Sequence, residues 1–272
     1  MVLALLFTVV PVSIVQILVK SLVAPPYDMV FFAFVAVPVA FLAYWGYVRL
    51  IERRNAPEIA FIGAPKELGL GVGLGTGLFT ITVGLLWAFG FYHVTGTNGW
   101  NVLIASLSLS VMSGFIEELL VRGIIFRIME ESLGTWIALS LSAVLFGLLH
   151  IGNPNASLTS AMAIALEAGL LLGACYVLTR RLWLAIGVHF AWNFAQGGIF
   201  GVAVSGNTSK GLLQSYLVGP EILSGGAFGA EASIFAVVVC VTGFSFIIVK
   251  AHRQGRLLMP FWMRKEKQAA TA

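Results

Sequence analysis

Long apolar runs, broken by very few charges, dominate this chain and restrict it to a narrow set of folds. A transmembrane helix needs roughly 20 consecutive, mostly apolar residues. Eight runs near that length lie at 2–23, 29–50, 70–92, 101–122, 136–150, 158–178, 182–204 and 232–250. Only 10% of the 272 residues are charged, whereas a soluble domain carries about 25%. So few charges cannot clothe a globule of this size, and lipid must be the solvent for much of the surface. The 30 glycines agree with this, because small residues let membrane helices approach closely. The expected fold is all-α, a polytopic transmembrane helix bundle of about eight spans. It is expected to form a single membrane domain over 1–272, with a functional core near 101–204 and a tail near 251–272.

The basic residues set the expected orientation. All but Lys20 and Lys210 of the 16 Lys and Arg residues fall at one end of the bundle, after spans two, four, six and eight. By the positive-inside rule this puts both termini in the cytoplasm. The first run lacks a preceding positive segment and is long enough to span, so it is not expected to be a removable signal peptide. The 126–135 segment, ahead of the short fifth run, is expected at the interface. No basic stretch with interleaved aromatics is present, so membrane lipid is an expected partner and nucleic acid is not. Cys175 and Cys240 sit in apolar runs and read as small buried hydrophobes, without a disulfide framework.

Ionisable groups inside a bilayer cost roughly 2.5–3.5 kcal/mol each on insertion scales. They persist where they pair, line a wet cavity or do chemistry. Here they are Glu117, Glu118 and Arg122 on span four, His150 at the end of span five, Glu167 on span six, and His189 with Asn193 on span seven. Glu118 and Arg122 are four apart and share a helix face, so they can form an ion pair. Glu117 is rotated about 100° away and continues a stripe of Ser106, Ser110 and Ser113. Glu167 is expected to pair with a histidine or a backbone group. Each feature alone also fits helix packing. Together, two carboxylates, two imidazoles and an amide on three helices suit peptide hydrolysis, which needs a base, an acid and oxyanion donors. The sequence has no G-x-S-x-G elbow and no H-E-x-x-H zinc motif, so carboxylate-activated water is the better fit.

Three motifs then stand in order: Glu117-Glu118-Leu119-Leu120-Val121-Arg122 (E-E-x-x-x-R), Phe146-Gly147-Leu148-Leu149-His150 (F-x-x-x-H) and His189-Phe190-Ala191-Trp192-Asn193 (H-x-x-x-N). They resemble the CPBP family, which includes the type II CAAX prenyl proteases (Ras-converting enzyme) and many bacterial relatives. The similarity runs from about Ser106 to Ser233, with Gly225–Gly229 included, and looks bacterial in type, which implies the plasma membrane. The resemblance implies an intramembrane glutamic endopeptidase of eight helices acting on a peptide or lipidated protein. Glu117 would activate water with help from His150, Glu118 and Arg122 would support the first motif, and His189 and Asn193 would form the oxyanion site. Eukaryotic and archaeal members have a further asparagine four residues after the F-x-x-x-H histidine; here that position is Pro154, flanked by Asn153 and Asn155. No cofactor is expected. A zinc protease using Glu117, Glu118, His150 and His189 is the nearest alternative, and a transporter or membrane scaffold is the non-enzymatic one.

Overall fold

The computed structural model describes residues 1–25 and 27–264; Lys265 and Lys267, at the end of the expected tail, lie outside the described residues. In chain order come α1 (Val2–Leu22), α2 (Asp28–Leu50), α3 (Ala64–Ala88), β1 (Tyr92–Thr97), α4 (Leu103–Met112) and α5 (Arg127–Leu149). They are followed by α6 (Leu158–Ile164), α7 (Leu170–Thr179), α8 (Trp183–Asn193), β2 (Leu213–Leu217), α9 (Glu221–Ser224) and α10 (Ile234–Arg253). Pro11 and Pro38 lie inside α1 and α2, as membrane helices tolerate.

The chain is an integral, multi-pass membrane protein. Among the described residues six helical stretches are long and apolar enough to cross a membrane, not the eight expected. The difference has two sources. Expected spans four and five lie on one 50-residue helical stretch, Trp100–Leu149, bent where Gly134 leaves helical geometry at φ 77, ψ 168. Expected span seven is an α-helix of 11 residues running into 6 π-helical residues, Phe194–Ile199, shorter than the other spans.

Among the described residues four π-helical segments interrupt the bundle: Ser113–Glu117, Leu119–Phe126, Ala165–Gly169 and Phe194–Ile199. Such segments are rare and concentrate at functional sites. Here they carry or adjoin Glu117, Glu118, Arg122, Glu167 and Asn193.

Glycine sets how closely the site-bearing helices approach. A Cβ on Gly71 would lie 2.4 Å from the Leu184 carbonyl oxygen, and one on Gly75 would lie 2.3 Å from that of Val188. These two glycines, one turn apart, let α3 dock backbone-to-backbone on α8, the small-xxx-small packing of membrane helices. The docking fixes α8, which carries His189.

The two ends of the bundle differ. At the basic end the connections are tied by ion pairs: Arg127–Glu52 at 2.6 Å, Arg54–Glu58 at 2.7 Å, Arg181–Glu67 at 3.0 Å, and Arg180 with Glu130. Hydrogen bonds from Arg127 and Arg54 outweigh burial and hold the Glu52 carboxyl below the usual carboxylate range. The 126–135 segment is packed into this end and does not lie bare at the interface: Phe126, Arg127, Glu130 and Thr135 are all buried. The tail folds back onto it, with Leu258 N–H donating to Thr135 Oγ1 at 2.8 Å. At the opposite end β1 and β2 pair antiparallel, Tyr92 facing Leu217 and Thr97 facing Leu213. This small sheet was not expected from the apolar pattern; it fastens the loop after α3 to the glycine-rich loop after α8.

Candidate active site

The three motifs converge. A cavity of about 660 Å³ is lined by Ser106, Ser110, Ser113 and Glu117 from the α4 stretch, His150 and Asn153 from the end of α5, and His189 and Asn193 from α8. The serine stripe that runs up to Glu117 thus faces this cavity. Close approach is again made by glycine: a Cβ on Gly114 would sit 3.0 Å from Phe190 N, so the π-helical segment holding Glu117 lies against the helix holding His189.

Glu118 and Arg122 form the expected ion pair, Arg122 Nη1 to Glu118 Oε1 at 2.7 Å, with side chains 1% and 0% exposed. Arg122 Nη2 also donates to the carbonyls of Ala168 at 3.1 Å and Gly169 at 3.2 Å. Its guanidinium lies over the Phe146 ring, 4.4 Å from the centroid. An arginine with three acceptors and an aromatic face is a rigid post, not a floating charge.

That post anchors a histidine. Glu118 Oε1 also meets His189 Nδ1 at 2.9 Å, so a carboxylate there accepts the Nδ1 proton. His189 Nε2 then faces Glu117 Oε2, 4.0 Å away. His150 is fixed differently. Its Nδ1 lies 2.8 Å from the Phe146 carbonyl oxygen, which can only accept, so Nδ1 carries the proton. In the neutral ring Nε2 keeps its lone pair. The bond to Phe146 turns the ring back along its own helix, in the direction that helix side chains already lean. His150 thus lines the same cavity as Glu117. The Phe146 ring packs edge-on to both imidazoles, 4.8 Å from His150 and 6.0 Å from His189, which explains the aromatic in the second motif. Asn193 Nδ2 donates to Ser113 Oγ at 2.8 Å, leaving its second N–H free.

Asn153, not Asn155, lines the cavity beside His150; Asn155 instead reaches Gly206 O at 3.4 Å. Glu167 departs from expectation. It pairs with neither a histidine nor the backbone; Cys240 Sγ donates to its Oε2 at 3.6 Å. The reason is a second buried acid that the apolar pattern assigned to a loop. Glu231 is 2% exposed and lies against Glu167, accepting from the Ser205 N–H. Burial pushes its carboxyl up to about 7, opposed by the Ser205 N–H, the Gln196 amide and His189. Both acids line a pocket of about 30 Å³ that touches His150, His189 and Asn193 from behind. The sequence signal was an acid two residues after the Gly225–Gly229 run, against the start of the last span.

Glu117 Oε2 and Glu118 Oε2 are buried without a hydrogen-bond partner. Among the described residues no group of three or more His, Cys, Asp or Glu side chains is arranged to hold a metal ion.

Residues 98–195 match the family model described as Rce1-like, type II CAAX prenyl endopeptidase Rce1-like. No curated protein and no solved structure matches the chain. The matched segment opens just before α4 and closes just after Asn193, so it contains all three motifs and leaves α1–α3 and α10 outside. The match spans the residues that line the cavity, and over that segment the chain is similar to the Rce1-like type II CAAX prenyl endopeptidases.

Proposed function

We propose that the protein is an intramembrane endopeptidase that hydrolyses a peptide bond of a membrane-tethered peptide or lipidated protein by water activated on Glu117 and His150. The observation that carries this reading is the meeting of Glu117, His150, His189 and Asn193 around one cavity, with Glu117 Oε2 and His189 Nε2 facing each other at 4.0 Å.

Each role follows from a donor or acceptor already described. Water in the cavity gives its proton to the unpartnered Glu117 carboxylate while the free His150 Nε2 orients it as a hydrogen-bond acceptor. The resulting hydroxide attacks the scissile carbonyl carbon. The oxyanion that forms takes hydrogen bonds from Asn193 Nδ2–H and His189 Nε2–H. The latter role needs a proton on Nε2 as well as on Nδ1, and Glu118 is placed to balance that charge. Glu117 then returns its proton to the leaving amine as the C–N bond breaks. Preorganised donors of this kind are worth about 10²–10³ in rate each, because their orientation is set before the charge develops.

The test is Glu117→Gln. The amide keeps the shape but cannot accept a proton from water. Membranes carrying the variant should accumulate a substrate that wild-type membranes cleave, while the purified variant elutes and unfolds as wild type does. Full cleavage by a folded Glu117→Gln protein would overturn the mechanism.

A further inference from the structure

The side on which the cavity opens bears on which substrates can reach Glu117. Its polar lining includes Ser106 and Ser110 on α4, Asn153 after α5, and Asn207, Thr208 and Ser209 after α8. All six lie toward the end of the bundle that carries the β1–β2 pair. Toward the basic end the space below the site is filled. Leu119, Phe126, Leu182 and Ile186 are each 0% exposed, and the ion pairs of Arg127, Arg54, Arg181 and Arg180 close the connections beyond them.

Among the described residues, the Lys and Arg side chains other than Lys20, Lys210 and the site's own Arg122 belong to the connections and helix ends at the closed end, which the positive-inside rule places in the cytoplasm. We infer that the active site opens to the non-cytoplasmic side, and that its substrate is a membrane-tethered polypeptide whose scissile bond is presented from that side in an uncharged, extended stretch. The substrate half of this inference rests on the proteolytic reading above; the sidedness does not. The lining chemistry supplies the extended conformation. A polypeptide that unwinds at membrane depth frees N–H and C=O groups, each costly unless paired. Hydroxyls and amides on both walls of the cavity offer partners for them. Among the residues lining the cavity, Glu117 is the one Asp, Glu, Lys or Arg, so apart from the site's own acid and histidines the walls are neutral and suit an uncharged stretch.

Single cysteines read by a membrane-impermeant maleimide test this directly. The native Cys175 and Cys240 are 0% and 1% exposed and give the unlabelled background. Thr208→Cys beside the mouth and Asn153→Cys inside the cavity should label fully in intact cells. Arg253→Cys should label only after the membrane is permeabilised. Labelling of Arg253→Cys in intact cells with loss of labelling at Thr208→Cys would reverse the orientation and overturn the inference. So would an Asn153→Cys that labels only after permeabilisation, or never, while Thr208→Cys labels. Cut sites stabilised in Glu117→Gln membranes should map to non-cytoplasmic segments; cytoplasmic cut sites would overturn the substrate half. Because maleimide labelling needs no proteolysis, an inactive protein with the expected labelling would sink the proteolytic reading and leave the sidedness standing.

Discussion

Arg122→Met, set beside the double variant Glu118→Gln/Arg122→Met, separates the cost of a broken buried pair from the worth of the pair itself. In the single variant Glu118, 0% exposed, keeps its charge with only His189 Nδ1 at 2.9 Å to offset it. Stranding one member of a buried ion pair costs about 3–5 kcal/mol. The carbonyls of Ala168 and Gly169 lose their donor as well, adding about 1–3 kcal/mol per group left unsatisfied. In the double variant the carbonyl loss remains but the stranded charge is gone. The double variant should therefore be more stable than the single by about 3 kcal/mol or more, roughly a hundredfold in the unfolding equilibrium. Equilibrium unfolding in mixed micelles reads the difference. Neither variant should cleave substrate, since His189 loses its charged Nδ1 partner in the double and its anchored one in the single. A single variant as stable as the double would show that Arg122 does not neutralise Glu118, and the account of the first motif would fall.

Other outcomes follow from the same packing and charge arrangement. Gly75→Val puts a side chain into the Val188 carbonyl, 2.3 Å from its Cβ position, whereas a Cβ on Gly73 meets nothing within 4 Å; only Gly75→Val should abolish cleavage and yield of folded protein. Glu231, raised from 4.5 to about 7, binds its proton more tightly folded than unfolded. Its contribution, about 3 kcal/mol from that shift, is fully present below about pH 4.5 and lost as pH rises through about 7. Unfolding measured across that range should show the loss in wild type, and Glu231→Gln should flatten it. Asn193→Ala removes an oxyanion donor and should lower kcat by about 10²–10³ with little change in KM; an unaltered kcat would exclude the assigned role. Chelator dialysis should leave cleavage intact, and its loss with recovery on adding zinc would move the mechanism to a metal-bound water.

Much of this molecule is legible in the order of its residues. The apolar runs mark where helices cross, because lipid leaves a chain few alternatives. Three motifs mark the candidate site, because ionisable groups in a bilayer are too costly to be casual. The number of crossings was less legible. A run length counts residues per apolar segment, but the bend at Gly134 and the short α8 depend on what the helices pack against. Glu167 was misread for a related reason. Its neighbour Glu231 lies 64 positions further on, outside any apolar run, and no periodicity links residues across that distance. The β1–β2 pair escaped notice because two short segments of ordinary composition became strands only by lying beside each other.

The π-helical segment Ser113–Glu117 also has a consequence for how this site tolerates change in length. A π-turn is a helix carrying one residue more than its neighbours need, so it fixes the phase between the helix before it and the helix after it. Deleting one residue there, Phe115 for example, would restore an ordinary α-helical ladder and leave the helices on either side in nearly the same phase. Ser106 and Ser110 would keep their face relative to Glu118 and Arg122, and the change would fall on the residues of the wide turn itself, Glu117 among them. The same deletion in the regular part of α4 would instead rotate everything beyond it by about 100°, so the wide turn is where this crossing absorbs a change in length.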